Sequence, residues 1–367
     1  MKSSFTVKAR FIPYTLQFRF DAGTSRGVLK KKLNYIVECR SDHFRRWAGY
    51  GEAGPLVGLS VDDIPDFDIQ LSQLLQSLEG IHFSTHPDEL LLQIKKTVPS
   101  QFPSIRFALE TAILDLIHGG KRRMMPNDFY DKGSPIPING LVWMGDRDRM
   151  WKQVEEKLAA GFDCIKIKIG ALDFSQECDL LGLIREQFPS SDISIRVDAN
   201  GAFPLDEAMG KLQQLASFNL HSIEQPIRQG NVKEMSRLCL ESPIPIALDE
   251  ELIGINSLAD KIKLLDTIRP QFIILKPTLL GGLLSSREWI NVAEDLGIGW
   301  WITSALESNI GLNAIAQFTS TYATGLPQGL GTGQLYDNNI SSPLNISRGT
   351  LSYGEQGEWG NIAGLFS

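Results

Sequence analysis

Two hydrophobic rhythms share this chain, and one gives way to the other near residue 135. Residues 5–20 (Phe-Thr-Val-Lys-Ala-Arg-Phe-Ile-Pro-Tyr-Thr-Leu-Gln-Phe-Arg-Phe) alternate apolar with polar side chains and are rich in aromatics, the period-two pattern of a half-exposed strand. Residues 34–39 form a second strand candidate, and 49–55 (Gly-Tyr-Gly-Glu-Ala-Gly-Pro) read as a glycine-rich loop. Helical spacing follows over 67–78 and 88–97. The stretch 103–118 is a strong helix candidate, with Pro103 near its start and Gly119-Gly120 past its end. Strands followed by helices, instead of alternating with them, predict an α+β unit.

Beyond residue 135 the pattern becomes strand, turn, helix, repeated. Short apolar runs at 136–142, 164–169, 194–198, 222–224, 246–249, 272–276 and 299–303 are separated by amphipathic stretches such as 150–160, 176–188, 205–218 and 285–296. Such alternation builds a parallel sheet, and seven or more consecutive units point to a barrel. A doubly wound open sheet is the alternative, but no Gly-x-Gly-x-x-Gly follows a first strand here.

A length of 367 residues accommodates a barrel plus an accessory domain. With 43% hydrophobic and 22% charged residues, the composition is that of a globular protein. A net charge of -7 argues against a nucleic-acid-binding surface, and the short basic runs Lys30-Lys31-Lys32 and Lys121-Arg122-Arg123 read as solvated loops or faces. No apolar run approaches the ~20 residues that span a bilayer, and no signal-like segment opens the chain. Cys39, Cys164, Cys178 and Cys239 are scattered without a Cys-x-x-Cys pair, as reduced thiols of a cytoplasmic protein are. The expected partner is a small carboxylic acid, not nucleic acid or membrane. Self-association as a homo-oligomer is compatible with everything in the chain.

Charge enters the barrel segment at one recurring place. Lys166 and Lys168 close Ile-Lys-Ile-Lys-Ile-Gly, Asp198 closes Ile-Arg-Val-Asp, Glu224 closes Ser-Ile-Glu, Asp249 closes Ile-Ala-Leu-Asp and Lys276 closes Ile-Ile-Leu-Lys. Successive members from Lys168 to Lys276 lie between 25 and 30 residues apart, one per βα repeat, so a barrel gathers them at the carboxyl rim of its strands. Three converging carboxylates repel one another, which a hard divalent cation relieves. An all-oxygen site suits magnesium or manganese. A lysine beside a metal and a second cation has its pKa drawn down, so it can serve as a base for abstracting a proton next to a carboxylate. One such charge is ordinarily a cap or a surface group; five in register on apolar strands are not.

The order Lys-x-Lys, Asp-x-Asn, Glu-x-Pro, Asp-Glu, Lys resembles the muconate-lactonizing branch of the enolase superfamily, and the resemblance covers almost the whole chain. It implies an α/β fold, a modified (β/α)7β TIM barrel over residues 126–334, with an α+β capping domain formed by 1–125 and the tail 335–367. It also implies Mg2+ (or Mn2+) on Asp198, Glu224 and Asp249, Lys168 and Lys276 as the acid/base pair, and Lys166 and Asn200 as supporting groups. Arg196, Ser304 in Thr303-Ser304-Ala305-Leu306-Glu307-Ser308, Gly329 in Gly329-Leu330-Gly331-Thr332-Gly333 and Arg26 in Gly23-Thr24-Ser25-Arg26-Gly27 are its candidate substrate contacts. These features favour a ring-aromatising dehydratase of menaquinone biosynthesis. Many such enzymes carry Gly-Leu-Asp-Thr where this chain has Gly331. The rival on the same scaffold is a dipeptide or N-acylamino-acid epimerase, whose Asp-x-Asp at the last strand is missing here. A non-catalytic binding barrel would require one of the five charged positions to be lost, and all are present.

Overall fold

Seven short parallel strands lie side by side in chain order in the computed structural model, which describes residues 4–24, 27–170, 172–323, 325–354 and 357–367. They are β1 (Gly140–Val142), β2 (Cys164–Lys168), β3 (Ser194–Asp198), β4 (Ser222–Glu224), β5 (Ile246–Leu248), β6 (Phe272–Leu275) and β7 (Gly299–Ile302). The ring closes at residues 328–329, where Gln328 bridges Ile138 and Gly329 bridges Thr303, both in parallel. The amide of Gln328 donates to the Pro137 carbonyl and that of Gly329 to the Ile302 carbonyl, each at 2.8 Å. Helices follow each of the seven strands, whereas the eighth position runs into the short turn Gly331–Gln334 and the tail. The barrel is therefore (β/α)7β, as expected.

Strand alternation sorts the side chains. Ile165, Ile167, Ile195, Val197, Ile223, Ile246, Leu248, Ile273 and Leu275 join the large core between sheet and helices. The register pairs Lys166 with Arg196 and Lys168 with Asp198, then Arg196 with Ser222 and Asp198 with Glu224. The polar residues thus occupy the other face, inside the ring. Beneath them the interior is filled by Ala247, Ile274 and Trp301. The helix Asn309–Thr319 is buried from Ile310 to Thr319, its polar stripe of Asn313 and Gln317 included, because both donate to the Arg122 carbonyl instead of facing water.

The accessory part begins with a three-stranded antiparallel sheet, Lys8–Thr24, Gly27–Arg40 and Gly49–Ala53. The glycine-rich segment is thus a strand and not a loop, and its five residues are all buried. The reason is the helix Pro103–Ile117, which lies directly across it. A Cβ at Gly49 would stand 1.9 Å from the Ala112 carbonyl oxygen, and one at Gly51 2.0 Å from that of Ala108. These glycines permit close backbone approach instead of a turn. The basic runs also need correction, since each buries part of its charge. Lys32 is 5% exposed, and Arg122 donates to buried Asp115 at 2.6 Å with its guanidinium 4.2 Å from the Tyr50 ring centre.

The tail divides its contacts. Tyr336 packs with Leu16 and Phe18 of the first strand and with Trp143, and Ile340 and Ile362 pack with Ile36 and Tyr50. The hairpin Leu344–Ser347/Thr350–Tyr353 instead pairs with Ile136–Pro137 on the approach to the barrel. Among the described residues no helix is long and apolar enough to cross a membrane.

Candidate active site

Each expected charged residue emerges inside the ring at the carboxyl end of its strand, and the structure brings six of them together. Lys166 Nζ stands 3.0 Å from Asp198 Oδ2 and 2.5 Å from Glu224 Oε2. Lys168 Nζ lies 3.0 Å from the same Asp198 oxygen and donates to Asn200 Oδ1 at 2.9 Å. Lys276 pairs with Asp249. β2 and β6 lie four strands apart in an eight-position ring, so Lys168 and Lys276 face each other across it.

Neighbouring groups hold the carboxylates from behind. Asn200 adopts φ 45°, donates its amide to Asp198 Oδ1 at 3.0 Å and its carboxamide to Glu250 Oε1 at 3.1 Å. Gln225, at φ 41°, accepts at its side-chain oxygen from the amides of Asp249 (3.2 Å) and Glu251 (3.3 Å). Glu250 and Gln225 were not foreseen. Their only sequence signal is adjacency, in Glu224-Gln225 and Asp249-Glu250.

Burial sets the electrostatics. It would raise the Asp198 carboxyl, but Lys166, Lys168 and Lys276 outweigh it and hold that group well below the carboxylate range. Glu224 moves the other way, pushed up by burial and by the charge of Asp198. Burial would lower Lys166 and Lys276, yet the surrounding carboxylates, Asp198 foremost for Lys166 and Asp249 for Lys276, raise both. Within the chain itself, carboxylates and not cations are the nearest neighbours of these two lysines.

The same pairing bears on the metal. Among the described residues the acids do not already converge as a three-ligand cluster; the Lys166 ammonium bridges Asp198 and Glu224, and Lys276 takes Asp249. The donor set nevertheless fits a hard divalent cation. All three side chains supply oxygen, Asp198 and Glu224 are in register on adjacent strands, and Glu224 Oε1 is buried with no hydrogen-bond partner among the described residues.

A cavity of about 580 Å³ opens over this layer, with Lys166, Lys168, Asp198, Asn200 and Lys276 in its floor and Phe20, Leu29, Leu56 and Val57 among its apolar walls. Ser304 and Gly329 also line it; the Ser304 and Thr332 hydroxyls lie 2.6 Å apart. Gly329 is fixed by packing, since a Cβ there would stand 2.2 Å from Thr303 Oγ1. Arg196 sits deeper, 2% exposed, donating to the Pro327 carbonyl at 2.8 Å with its guanidinium 4.0 Å from the Trp301 ring centre. Arg26 lies outside the described residues.

Comparison with known proteins agrees with this geometry. Residues 149–356 match the family described as enolase C-terminal domain-like. An o-succinylbenzoate synthase from Desulfotalea psychrophila is 47% identical over 357 residues, covering 92% of this chain and 96% of its own. The crystal structure of MenC from Desulfotalea psychrophila LSv54 matches with a TM-score of 0.84 at 42% identity, covering 95% of this chain and 99% of that one. The L-Ala-D/L-Glu epimerase from Bacillus subtilis matches with a TM-score of 0.82 at 19% identity over 97% of both chains, a likeness of fold alone. Since the matched region takes in β2 to β7 and every acid and lysine described above, the chain belongs to the enolase superfamily.

Proposed function

We infer that the chain is a hydro-lyase, an o-succinylbenzoate synthase that dehydrates 2-succinyl-6-hydroxy-2,4-cyclohexadiene-1-carboxylate to 2-succinylbenzoate in menaquinone biosynthesis. The observation that carries this is the facing pair Lys168 and Lys276, which line the cavity with Asp198 and lie beside the buried acids Glu224 and Asp249, in a chain nearly half identical to a synthase of that name.

Lys168, entering as the free amine, takes the proton α to the substrate carboxylate. The electron pair released moves into the ring system, and the bond to the hydroxyl group breaks. The proton on Lys168 Nζ then goes to that departing oxygen, so water leaves and the ring becomes aromatic. Lys276 stays an ammonium and places a positive charge over the developing enediolate and ring. Enolase-superfamily enzymes generally use magnesium. Here Asp198, Glu224 and Asp249 would hold it, and it would supply Lewis-acid stabilisation of negative charge on the substrate carboxylate. Phe20, Leu29, Leu56 and Val57 restrict water over the reacting ring. A dianionic small molecule as partner and the cytoplasm as setting belong to the same reading.

Epimerisation of dipeptides would call for a carboxylate at the last strand to meet the substrate's ammonium group. Positions 329 and 331 are glycines, and packing against Thr303 leaves no room for a side chain at the first. The test is ultraviolet absorbance of the aromatic product, with L-Ala-L-Glu racemisation measured beside it. Aromatisation should vanish with chelator and return with magnesium or manganese. Full turnover in exhaustively demetallated protein would remove the metal, and efficient epimerisation with no action on the cyclohexadiene would remove the synthase assignment.

A further inference from the structure

Glu307 is a fully buried carboxylate that the reaction above does not use, and it sits beside the machinery. The hydroxyl of Thr278, two residues beyond Lys276, donates to one of its oxygens. The amide of Ala305, next to Ser304, donates to the other at 2.7 Å. Between these anchors Leu306 lines the cavity with φ 67° and accepts from the Tyr336 hydroxyl at 2.9 Å. A bulky residue stays in the left-handed region only where its surroundings over-determine it. One side chain thus ties the turn that carries Lys276 to the wall formed by Ser304–Leu306.

A buried positive charge comes from the accessory sheet. Lys32 is buried, and its ammonium donates to the Gly54 carbonyl at 3.2 Å, within the influence of Glu307, Glu52 and Asp62. Glu52 is buried as well. It accepts from the Ser308 amide at 2.8 Å, the Ser308 hydroxyl at 2.5 Å and the Gly311 amide at 3.0 Å, so it caps the helix Asn309–Thr319 that begins just after Glu307. Lys32 and Glu52 come from the cap and Glu307 from the barrel. Gly54, which holds Lys32, lies two residues before Leu56 in the cavity wall.

We propose that Glu307 is a positioning residue whose bonds to Thr278 and Ala305 latch the turn of Lys276 to the Ser304–Leu306 wall, and that buried Lys32, held at Gly54 in the cap, supports this latch by its charge from beyond ion-pair distance. Buried carboxylates that lose their counter-charge take up protons or pull their surroundings apart, so the latch needs both signs. The proposal rests on the role given to Lys276 in the dehydration above.

The experiment measures kcat and KM per folded site, well below the unfolding midpoint, for Thr278→Ala, Glu307→Gln, Lys32→Met and the double variant Lys32→Met/Glu307→Gln. Displacement of a reacting group by about 1 Å costs up to roughly a hundredfold. Each single variant should accordingly lose about tenfold or more in kcat, with KM moving less than about threefold. The double variant should lose less than the product of the two single losses, because the cation matters chiefly while the carboxylate is present. Variants whose midpoints fall while kcat stays within about twofold of wild type, or a strictly multiplicative double, would overturn the latch. Thr278→Ala deletes one hydroxyl and decides the matter if Glu307→Gln does not fold. Should the wild type epimerise a dipeptide and ignore the cyclohexadiene, the reaction assignment fails, and the latch is then judged on epimerisation kcat in the same variants.

Discussion

Lys168 and Lys166 lie one period of strand alternation apart on the same face, yet they have different partners. Lys166 Nζ contacts both Asp198 and Glu224, whereas Lys168 Nζ touches Asp198 and Asn200; both line the cavity. Removal of the Lys168 amine by Lys168→Ala deletes the proposed proton acceptor while Asp198 keeps Lys166 as its partner. Turnover should fall by roughly 10³-fold with an unchanged circular dichroism spectrum. Deuterium exchange at the substrate α-carbon that persists in this variant would name another base. The charged residues of the floor were legible in the sequence because each interrupts an apolar strand at its end. Glu307 and Lys32 were not legible as buried groups, because their burial follows from the meeting of elements distant in the chain.

At the scale of elements, the sequence period identified those that bury one face, such as Pro87–Thr97, and those that alternate, such as Cys164–Lys168. It failed where neighbours enclose an element on every side. Asn309–Thr319 buries even its polar stripe, whose Asn313 and Gln317 donate to the Arg122 carbonyl, and Gly49–Ala53 carries turn-like residues because a helix crosses its backbone. That contact is open to test. Gly51→Ala would force a methyl group into the Ala108 carbonyl, so strand or helix must shift. The expected cost is about 3 kcal/mol, read as a lowered denaturant midpoint with an unchanged m-value. Gly210, whose added Cβ meets nothing within 4 Å, is the control: Gly210→Ala in the helix Ala208–Leu215 should stabilise slightly. A Gly51→Ala protein as stable as wild type would mean that the crossing is looser than the structure places it.

For the whole molecule, the joint between cap and barrel also carries a charge whose ionisation opposes folding. Glu110, on the cap helix Pro103–Ile117, is wholly buried and accepts from the Leu283 amide at 2.5 Å and the Leu284 amide at 3.4 Å. It therefore meets the start of the barrel helix Gly282–Asp295, where amide donors favour an anion. Burial is the larger influence and pushes its carboxyl from 4.5 up to about 8, against the pull of those amides and of Arg106 and Arg287. A native carboxyl that binds its proton more tightly than the unfolded one makes its full contribution below pH 4.5, and that contribution is lost as pH rises through about 8. The swing is on the order of 5 kcal/mol at most. Asp62, pushed up to about 6, acts in the same direction at the lower end of the window. Lys261, drawn down to about 8, acts only above it, where its loss of charge on folding makes stability rise with pH. Glu110→Gln keeps an acceptor for the Leu283 amide and removes the titration. Urea midpoints of metal-free protein at pH 5, 6, 7 and 8 should fall with pH in the wild type and fall less steeply in Glu110→Gln, so that the two curves converge at low pH and separate at high pH. Parallel curves would show that this carboxyl titrates alike in the folded and unfolded chain, and that the cap meets the barrel through a wetter joint than the burial of Glu110 implies.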